Sequence, residues 1–164
     1  MEEYKVFIDE IRKSTGIEAM IPEDEGLVSV KVDDKYNMNL QYLKDTGKIL
    51  CFIEVAQLPA DTPKTVYRDL LVGGLFGKDT GGGFFAIEPE TETVVYNYYF
   101  DFEKARNDVE EFVHTLEKIL QLCDIWSSRM IDMQSGGEQE EMKHSEAGRQ
   151  EPEYRHFGPG ANWA

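Results

Sequence analysis

The sequence predicts an α+β fold in which helices pack on an antiparallel sheet. Apolar residues recur with helical spacing near the start, the middle and the end of the chain, and they alternate with polar residues in the segments between. Short turns join successive strand-like segments, which favours hairpins over parallel crossovers. The predicted order is helix, three strands, helix, two strands and a long helix, within one domain of the 164-residue chain.

The first half of the chain supplies a helix and three strands. Residues 3–13 carry an apolar stripe at helical spacing, and Gly16 is expected to end this helix. Alternating residues predict half-buried strands over 28–32 and 36–42. The next segment, 49–58, is apolar on both faces, so this strand is either covered twice or carries a binding surface.

The second half supplies a helix, two strands and the longest helix. Thr62 is a candidate N-cap of the second helix. A glycine-rich loop then leads to strands over 84–88 and 94–100, and the latter carries aromatic residues on both faces. One continuous helix is predicted from about residue 103 to 133, with Asp101 as its N-cap.

The composition changes near the end of the last helix. Residues 1–134 form the predicted α+β domain, whereas residues 135–164 are polar, acidic and rich in glycine and proline. Such a segment buries too little apolar surface to fold by itself and is expected to be flexible. Two roles remain open for it: a plain extension, or a short docking peptide that uses Tyr154, Phe157 and Trp163.

The net charge of −15 disfavours whole classes of partner. Its field repels nucleic-acid phosphates and anionic lipid headgroups, so nucleic-acid binding is not expected. The start of the chain lacks the basic residues and apolar run of a secretory signal, and the longest apolar run, Ile49–Ile53, is too short to insert into a membrane. Cys51 and Cys123 lie inside apolar patterns, which predicts buried free thiols and a reducing, cytoplasmic location.

The glycines from Gly73 onward invite a comparison with phosphate-binding loops, which the spacing does not support. A phosphate loop needs four residues between its first glycine and the Gly-Lys-Ser/Thr group, and it leads from a strand into a helix. Here three residues separate Gly73 from Gly77, Asp79 occupies the position of the hydroxyl residue, and the helix comes first. A helix stop followed by a flexible turn is the better interpretation.

No residues form a recognisable catalytic or metal-binding set. His114 lies within the last helix while His144 and His156 lie beyond it, so none groups with a cysteine at ligand spacing. The carboxylates are scattered, and no serine or cysteine lies in a nucleophile motif. The sequence therefore predicts a protein that is not an enzyme and uses no cofactor or metal. A small molecule or metal bound to the purified protein would revive the enzymatic alternative.

The chain has more apolar surface than one small core needs. One set of apolar residues flanks the glycine-rich loop: Leu75, Phe76, Phe84 and Phe85. A second set falls on the sheet face opposite the main helix layer: Leu50, Phe52, Val95 and Tyr99. Either the second helix covers that face or the face is an interface. Because this helix is short and ends in glycines, the interface is favoured.

The central passage also matches the pattern of a known family. It begins at Leu70-Leu71, continues through Leu75-Phe76-Gly77 and Gly81-Gly82-Gly83-Phe84-Phe85, and ends at Glu88-Pro89-Glu90-Thr91. This passage resembles the Tir chaperone (CesT) family, the class I chaperones of bacterial type III secretion, and the likeness extends over roughly residues 3–133. Gly74 stands where the family often has an asparagine, which is a departure from its pattern.

The resemblance implies a homodimer that binds one or a few secreted effector proteins. The family joins its subunits largely through the second helix and the following strand, which here implicates Leu70, Leu71, Leu75, Phe76, Phe84 and Phe85. It holds the N-terminal segment of an effector in a largely extended form and keeps it soluble and secretion-competent without ATP. Contact with the effector is expected at Leu50, Phe52, Val95 and Tyr99.

A related α+β fold of the YbjN type offers a different function. A protein of that type would serve as a regulatory or cofactor-free binding module outside secretion. The sequence leaves this alternative open, and the absence of effector partners in a pull-down would favour it.

Overall fold

The computed structural model describes residues 1–140, and the side chains of residues 1–134. Its elements are α1 (Glu2–Thr15), β1 (Leu27–Val32), β2 (Tyr36–Leu43), β3 (Lys48–Gln57), α2 (Lys64–Gly73), a 3-10 turn (Leu75–Gly77), β4 (Phe84–Glu88), β5 (Thr93–Asp101), α3 (Phe102–Asn107) and α4 (Val109–Glu140). The predicted α+β class and the order of its strands along the chain are confirmed.

The strands form one antiparallel sheet in the order β1-β2-β3-β5-β4. Each neighbouring pair runs antiparallel, as the short turns predict. β3 lies at the centre of the sheet, and β1 and β4 lie at its edges. Because β5 inserts between β3 and β4, α2 and the glycine-rich loop carry the chain from the centre of the sheet to its edge.

Helices α1 and α4 cover one face of the sheet and build the core with it. The predicted stripe of α1 is buried: Tyr4, Phe7, Ile8 and Ile11. α4 contributes a second buried stripe: Phe112, Leu116, Ile119, Cys123, Trp126 and Met130. Both cysteines are free and buried, as predicted. Burial raises the pKa of both thiols, that of Cys123 to about 12, so neither is reactive at neutral pH.

Positive φ angles occur where the sequence predicts turns. Gly16 has φ 72°, and its N–H donates to the carbonyl of Arg12, which ends α1. Gly47 has φ 62° in the turn between β2 and β3. Asp33 and Asp34 have φ 52° and 54° in the β1–β2 hairpin. Two left-handed residues in succession give a turn whose twist matches that of the flanking strands.

Of the two predicted N-caps, Asp101 is confirmed and Thr62 is wrong. The Asp101 carboxylate accepts the backbone N–H of Lys104 at 2.9 Å. The Thr62 hydroxyl instead donates to the carbonyl of Pro59. α2 begins at Lys64, because Pro63 stays extended with ψ 140° and is the N-cap residue. The helix has no side-chain cap, since proline carries no side-chain acceptor.

The predicted single long helix is wrong, because the chain breaks into α3 and α4 at Asp108. This residue leaves helical geometry with φ −144° and ψ 77°, and its carboxylate accepts the N–H of Glu111 at 3.0 Å. This hydrogen bond to the Asp108 side chain competes with the backbone hydrogen bonds of a continuous helix, and it caps the start of α4. α4 then continues to Glu140, past its expected end at 133. Residues 141–164 of the predicted tail lie outside the described residues.

α2 packs against α4, on the side of the sheet that the helices cover. Gly73 lies against the ring of Trp126, and a Cβ atom at Gly73 would come within 2.3 Å of Cη2. Arg129 of α4 donates to the Asp69 carboxylate at 2.8 Å. α2 therefore belongs to the helix layer, and no described residue covers the opposite sheet face.

Candidate functional site

The exposed apolar residues of the described protein include two groups. The open-face patch lies on the sheet face away from the helices and consists of Leu50, Phe52, Phe84, Val95 and Tyr99. The helix-2 patch lies at the end of α2 and in the 3-10 turn and consists of Leu71, Val72, Leu75 and Phe76. These two surfaces are the candidate binding sites of the molecule.

Strand register brings the open-face patch together across β3, β5 and β4. Leu50 lies opposite Tyr99. Asn97 of β5 lies opposite Phe52 on one side and opposite Phe84 on the other. Because side chains alternate across a sheet and the intervening residues of β3 are buried beneath the helices, these side chains point away from the helix layer. The four residues expected to contact effector thus share one face.

The most exposed members of the open-face patch are two stacked aromatic residues. Phe84 is 45% exposed and Tyr99 is 47% exposed. Their ring centroids are 6.2 Å apart, with 28° between the ring planes. The ammonium group of Lys48 lies 5.7 Å from the centroid of the Tyr99 ring, at cation–π distance. The patch can therefore take up apolar side chains and also cations that pack on a ring.

The rest of the same sheet face is polar. On β1 and β2, the Ser29 hydroxyl donates to the Asn39 amide oxygen at 2.7 Å. The Asn37 amide donates to the Glu54 carboxylate, also at 2.7 Å. Cross-strand pairs of this kind satisfy their own hydrogen bonds and stay hydrated. They confine the apolar surface to β3, β5 and β4.

The helix-2 patch projects further into solvent than the open-face patch. Leu71 is 80% exposed and Phe76 is 96% exposed. Phe76 also has φ 58° and ψ 13°, a left-handed conformation that costs a residue with a Cβ atom about 1–2 kcal/mol. An exposed aromatic side chain on a strained backbone is the arrangement expected where a second surface covers it.

The structure separates the six residues expected at the dimer interface. Leu70 is buried in the protomer core. Phe85 is half-buried, with its ring centroid 5.0 Å from that of Trp126 and 5.4 Å from that of Tyr96. Phe84 points to the other side of β4 and belongs to the open-face patch. The remaining three lie in the helix-2 patch: Leu71, Leu75 and Phe76. Sequence reasoning missed Val72, which extends this patch.

Hydrogen bonds hold the glycine-rich loop between the two patches, which corrects the expected flexible turn. The Trp126 indole N–H donates to the carbonyl of Asp79 at 3.0 Å. The Tyr96 hydroxyl donates to the carbonyl of Thr80 at 2.7 Å, and Thr80 is fully buried. Gly83 permits this close contact, because a Cβ atom there would lie 2.2 Å from the Tyr96 hydroxyl. The loop thus binds the protein's own core residues.

The Asp124 carboxylate ties α4 to the β1–β2 hairpin. The Asp124 carboxylate of α4 accepts hydrogen bonds from Lys35 and, at 2.8 Å, from the Tyr36 hydroxyl. The hydrogen bond from Lys35, and then that from Tyr36, lower the pKa of the Asp124 carboxyl.

Within residues 1–134, no three His, Cys, Asp or Glu side chains come together as a metal-type group. Each helix described is too short or too polar to span a bilayer.

Comparison with known proteins identifies the family. A sequence model of the Tir chaperone protein (CesT) family matches residues 6–127. The chain belongs to this family. The match confirms the resemblance carried by the central glycine-rich passage, and it spans most of α1, the whole sheet and more than half of α4. No protein of curated function matches the sequence significantly.

Solved structures share this CesT-family fold at low sequence identity. A chain of the ExsC–ExsE complex matches with a TM-score of 0.66 and 18% identity, over 76% of this chain and 90% of that chain. A chain of the HopA1–SchA chaperone–effector complex matches with a TM-score of 0.59 and 17% identity, over 78% of this chain and 92% of that chain. A third match is a chain from the complex of the Yersinia pestis type III secretion chaperone SycH with a fragment of YscM2. Its TM-score is 0.55 and its identity 16%, over 73% of this chain and 98% of that chain.

Proposed function

We propose that this protein is a type III secretion chaperone that acts as a homodimer and binds the N-terminal segment of a cognate effector. The observation that carries the proposal is the open-face patch. In this CesT-family chain, no described residue covers that patch. Surfaces of this kind mark binding sites for other proteins. The family match favours this function over that of a YbjN-type module.

The open-face patch suits an extended apolar segment. Such a segment places alternate side chains on one side, so it can lay them on Leu50, Phe52 and Val95 while the other side chains stay in water. Covering the exposed halves of Phe84 and Tyr99 contributes about 1 kcal/mol each. Binding needs no chemical step, and the proposal therefore includes neither ATP nor a cofactor. The bound segment stays unfolded and soluble.

The charge of the protein supports this role. A net charge of −15 makes copies of the protein repel one another, which limits aggregation beyond the proposed dimer. The buried reduced thiols of Cys51 and Cys123 fit a cytoplasmic protein, where disulfides are rare. Effector binding would take place in this compartment before secretion.

The helix-2 patch supplies the proposed dimer interface. A two-fold axis brings the same patch of each subunit together, so Leu71, Leu75 and Phe76 would be covered by their counterparts. An obligate interface buries on the order of 2,000 Å² or more. Dimerisation would relieve the exposure of Phe76 and place two open-face patches on one particle, which favours a partner with more than one apolar stretch.

Affinity purification from the native organism, followed by mass spectrometry, tests the proposal. The native chain is expected to recover one or a few proteins whose N-terminal segments stay protected in limited proteolysis. Phe52→Ser with Tyr99→Ser should abolish this recovery, because it removes apolar contact area from the open face. Lys31→Ser, on the polar part of the same face, is the matched control. Recovery that is unchanged in the double variant would contradict the proposed site.

A further inference from the structure

The sequence beyond the described residues changes character at Tyr154. Residues 141–153 are polar and net acidic, whereas residues 154–163, the aromatic segment, contain Tyr154, Phe157 and Trp163. None of the 32 acidic residues of the chain lies in the aromatic segment, which carries Arg155 instead. A cationic and aromatic stretch thus follows an acidic protein in the same chain.

The aromatic segment complements the open-face patch in chemistry. The patch offers apolar side chains and the stacked rings of Phe84 and Tyr99. Aromatic rings pack on such a surface, and a guanidinium group such as that of Arg155 stacks on an aromatic face better than an ammonium group does.

The chain between α4 and the aromatic segment is long enough for this contact. α4 ends at Glu140, and residues 141–153 can span up to roughly 43 Å when extended. A folded domain of this size has a radius of gyration of about 14 Å. The aromatic segment can therefore reach the open face, where tethering gives it a millimolar effective concentration.

We propose that the aromatic segment binds the open-face patch of its own protein and that an effector displaces it. The open-face patch is preferred to the helix-2 patch because it offers two stacked aromatic rings, those of Phe84 and Tyr99. The intramolecular contact stands on the chemistry of the segment and the patch alone, whereas the competition with effector rests on the proposed function. The segment would shield the exposed aromatic rings until a partner arrives.

Competition would lower the apparent affinity of the protein for its effector. If nine-tenths of the molecules have the aromatic segment bound, the apparent dissociation constant rises about tenfold, because only the remaining fraction can bind. Weak apolar ligands would be excluded, while a tighter effector segment would still bind. The segment thereby sets a threshold for partner binding.

Quenching of tryptophan fluorescence by acrylamide in the full-length chain tests the contact without any effector. Trp126 is buried, so Trp163 supplies the accessible signal, which is isolated by subtracting the signal of the Trp163→Phe variant. We expect Trp163 in the protein to be quenched several-fold less than in a free peptide of residues 151–164. Tyr99→Ser should raise its quenching to the level of the free peptide, and Lys31→Ser should leave it unchanged.

Two outcomes would overturn the proposal. One is quenching of Trp163 in the native chain equal to that of the free peptide. The other is release of Trp163 by Leu71→Asp but not by Tyr99→Ser, which would place the segment on the helix-2 patch. Adding the effector fragment recovered by affinity purification should also release Trp163. Failure of that step alone would overturn the competition, while the quenching result would stand independently of the proposed function.

Discussion

The open-face patch and the helix-2 patch are both apolar and exposed, but the chain builds them differently. The open-face patch lies on three hydrogen-bonded strands, and its most exposed members, Phe84 and Tyr99, still have about half of their surface buried by neighbours. The helix-2 patch lies at a helix end, and Phe76 in it is almost fully exposed on a left-handed backbone. The open-face patch is therefore flat and supported by the sheet, whereas the helix-2 patch projects into solvent.

The difference indicates different partners. A projecting side chain gains most from a pocket that fits its shape, and a second copy of the same chain can supply such a fit permanently. A flat, half-buried surface costs less free energy when it stands empty and accepts segments that differ in sequence. We therefore assign permanent association to the helix-2 patch and exchangeable binding to the open-face patch. Variants that affect one patch and spare the other test this assignment.

The largest effect is expected from Leu71→Asp. The two-fold axis would bring two carboxylates into an apolar interface, and losing a central contact from both subunits costs several kcal/mol, enough to dissociate the dimer at micromolar concentrations. Sedimentation velocity measures the result. Ile21→Asp is the matched control, because Ile21 is 62% exposed and lies outside both patches. A Leu71→Asp protein that sediments as a dimer would remove the helix-2 patch from the interface.

An intermediate effect is expected from Gly83→Ala. The added Cβ would lie 2.2 Å from the Tyr96 hydroxyl and 2.6 Å from the Asn97 carbonyl, so the start of β4 and Phe84 must shift. The free energy of unfolding should fall by about 1–3 kcal/mol, as measured by urea denaturation, and effector affinity should fall with it while the dimer persists.

Gly74→Ala provides the control for this substitution. Gly74 has φ −72°, and a Cβ there meets backbone oxygens only at 3.5 Å or more. Stability should stay the same or rise by up to about 1 kcal/mol, since alanine favours helical geometry. An equal fall in the free energy of unfolding of the Gly83→Ala and Gly74→Ala variants would mean that the close packing of Gly83 on Tyr96 is not what holds β4 in place.

The smallest effect is expected from Lys48→Met. This change removes the ammonium group from the Tyr99 ring, and an exposed cation–π contact contributes about 0.5–1 kcal/mol. Effector affinity measured by calorimetry should change by no more than about fivefold, with the dimer unaffected. Lys44→Met, in the neighbouring turn, is the control. A loss greater than about a hundredfold would show that charge, and not apolar contact, dominates binding at the open face.

Much of the fold follows from side-chain periodicity, and the site follows only in part. Alternation along β3 and β5 was sufficient to predict that Leu50 and Tyr99 share the face away from the helices. The same alternation separates Phe84 from Phe85, although they were expected together because they are adjacent in an aromatic pair. Applying the period of two to β4 would have assigned Phe84 to the open face.

Other features depend on contacts that periodicity does not encode. The break at Asp108 occurs inside a continuous apolar stripe, and it arises because the aspartate side chain competes with helical hydrogen bonding. The position of α2 depends on the absence of a Cβ at Gly73, which lets the ring of Trp126 approach. The left-handed backbone of Phe76 has no sequence signal, since aromatic residues rarely adopt it.

The hydrogen-bonded polar side chains of β1 and β2 set the capacity of the open face. The apolar strip that they leave is three strands across, and strands about 4.8 Å apart make it roughly 10 Å wide. This width admits one extended segment, or one helix, at a time. If the proposed dimer forms, one segment would have to leave the open-face patch of a subunit before another could bind there. A partner with two apolar stretches would then have to span both subunits to place both stretches on open-face patches.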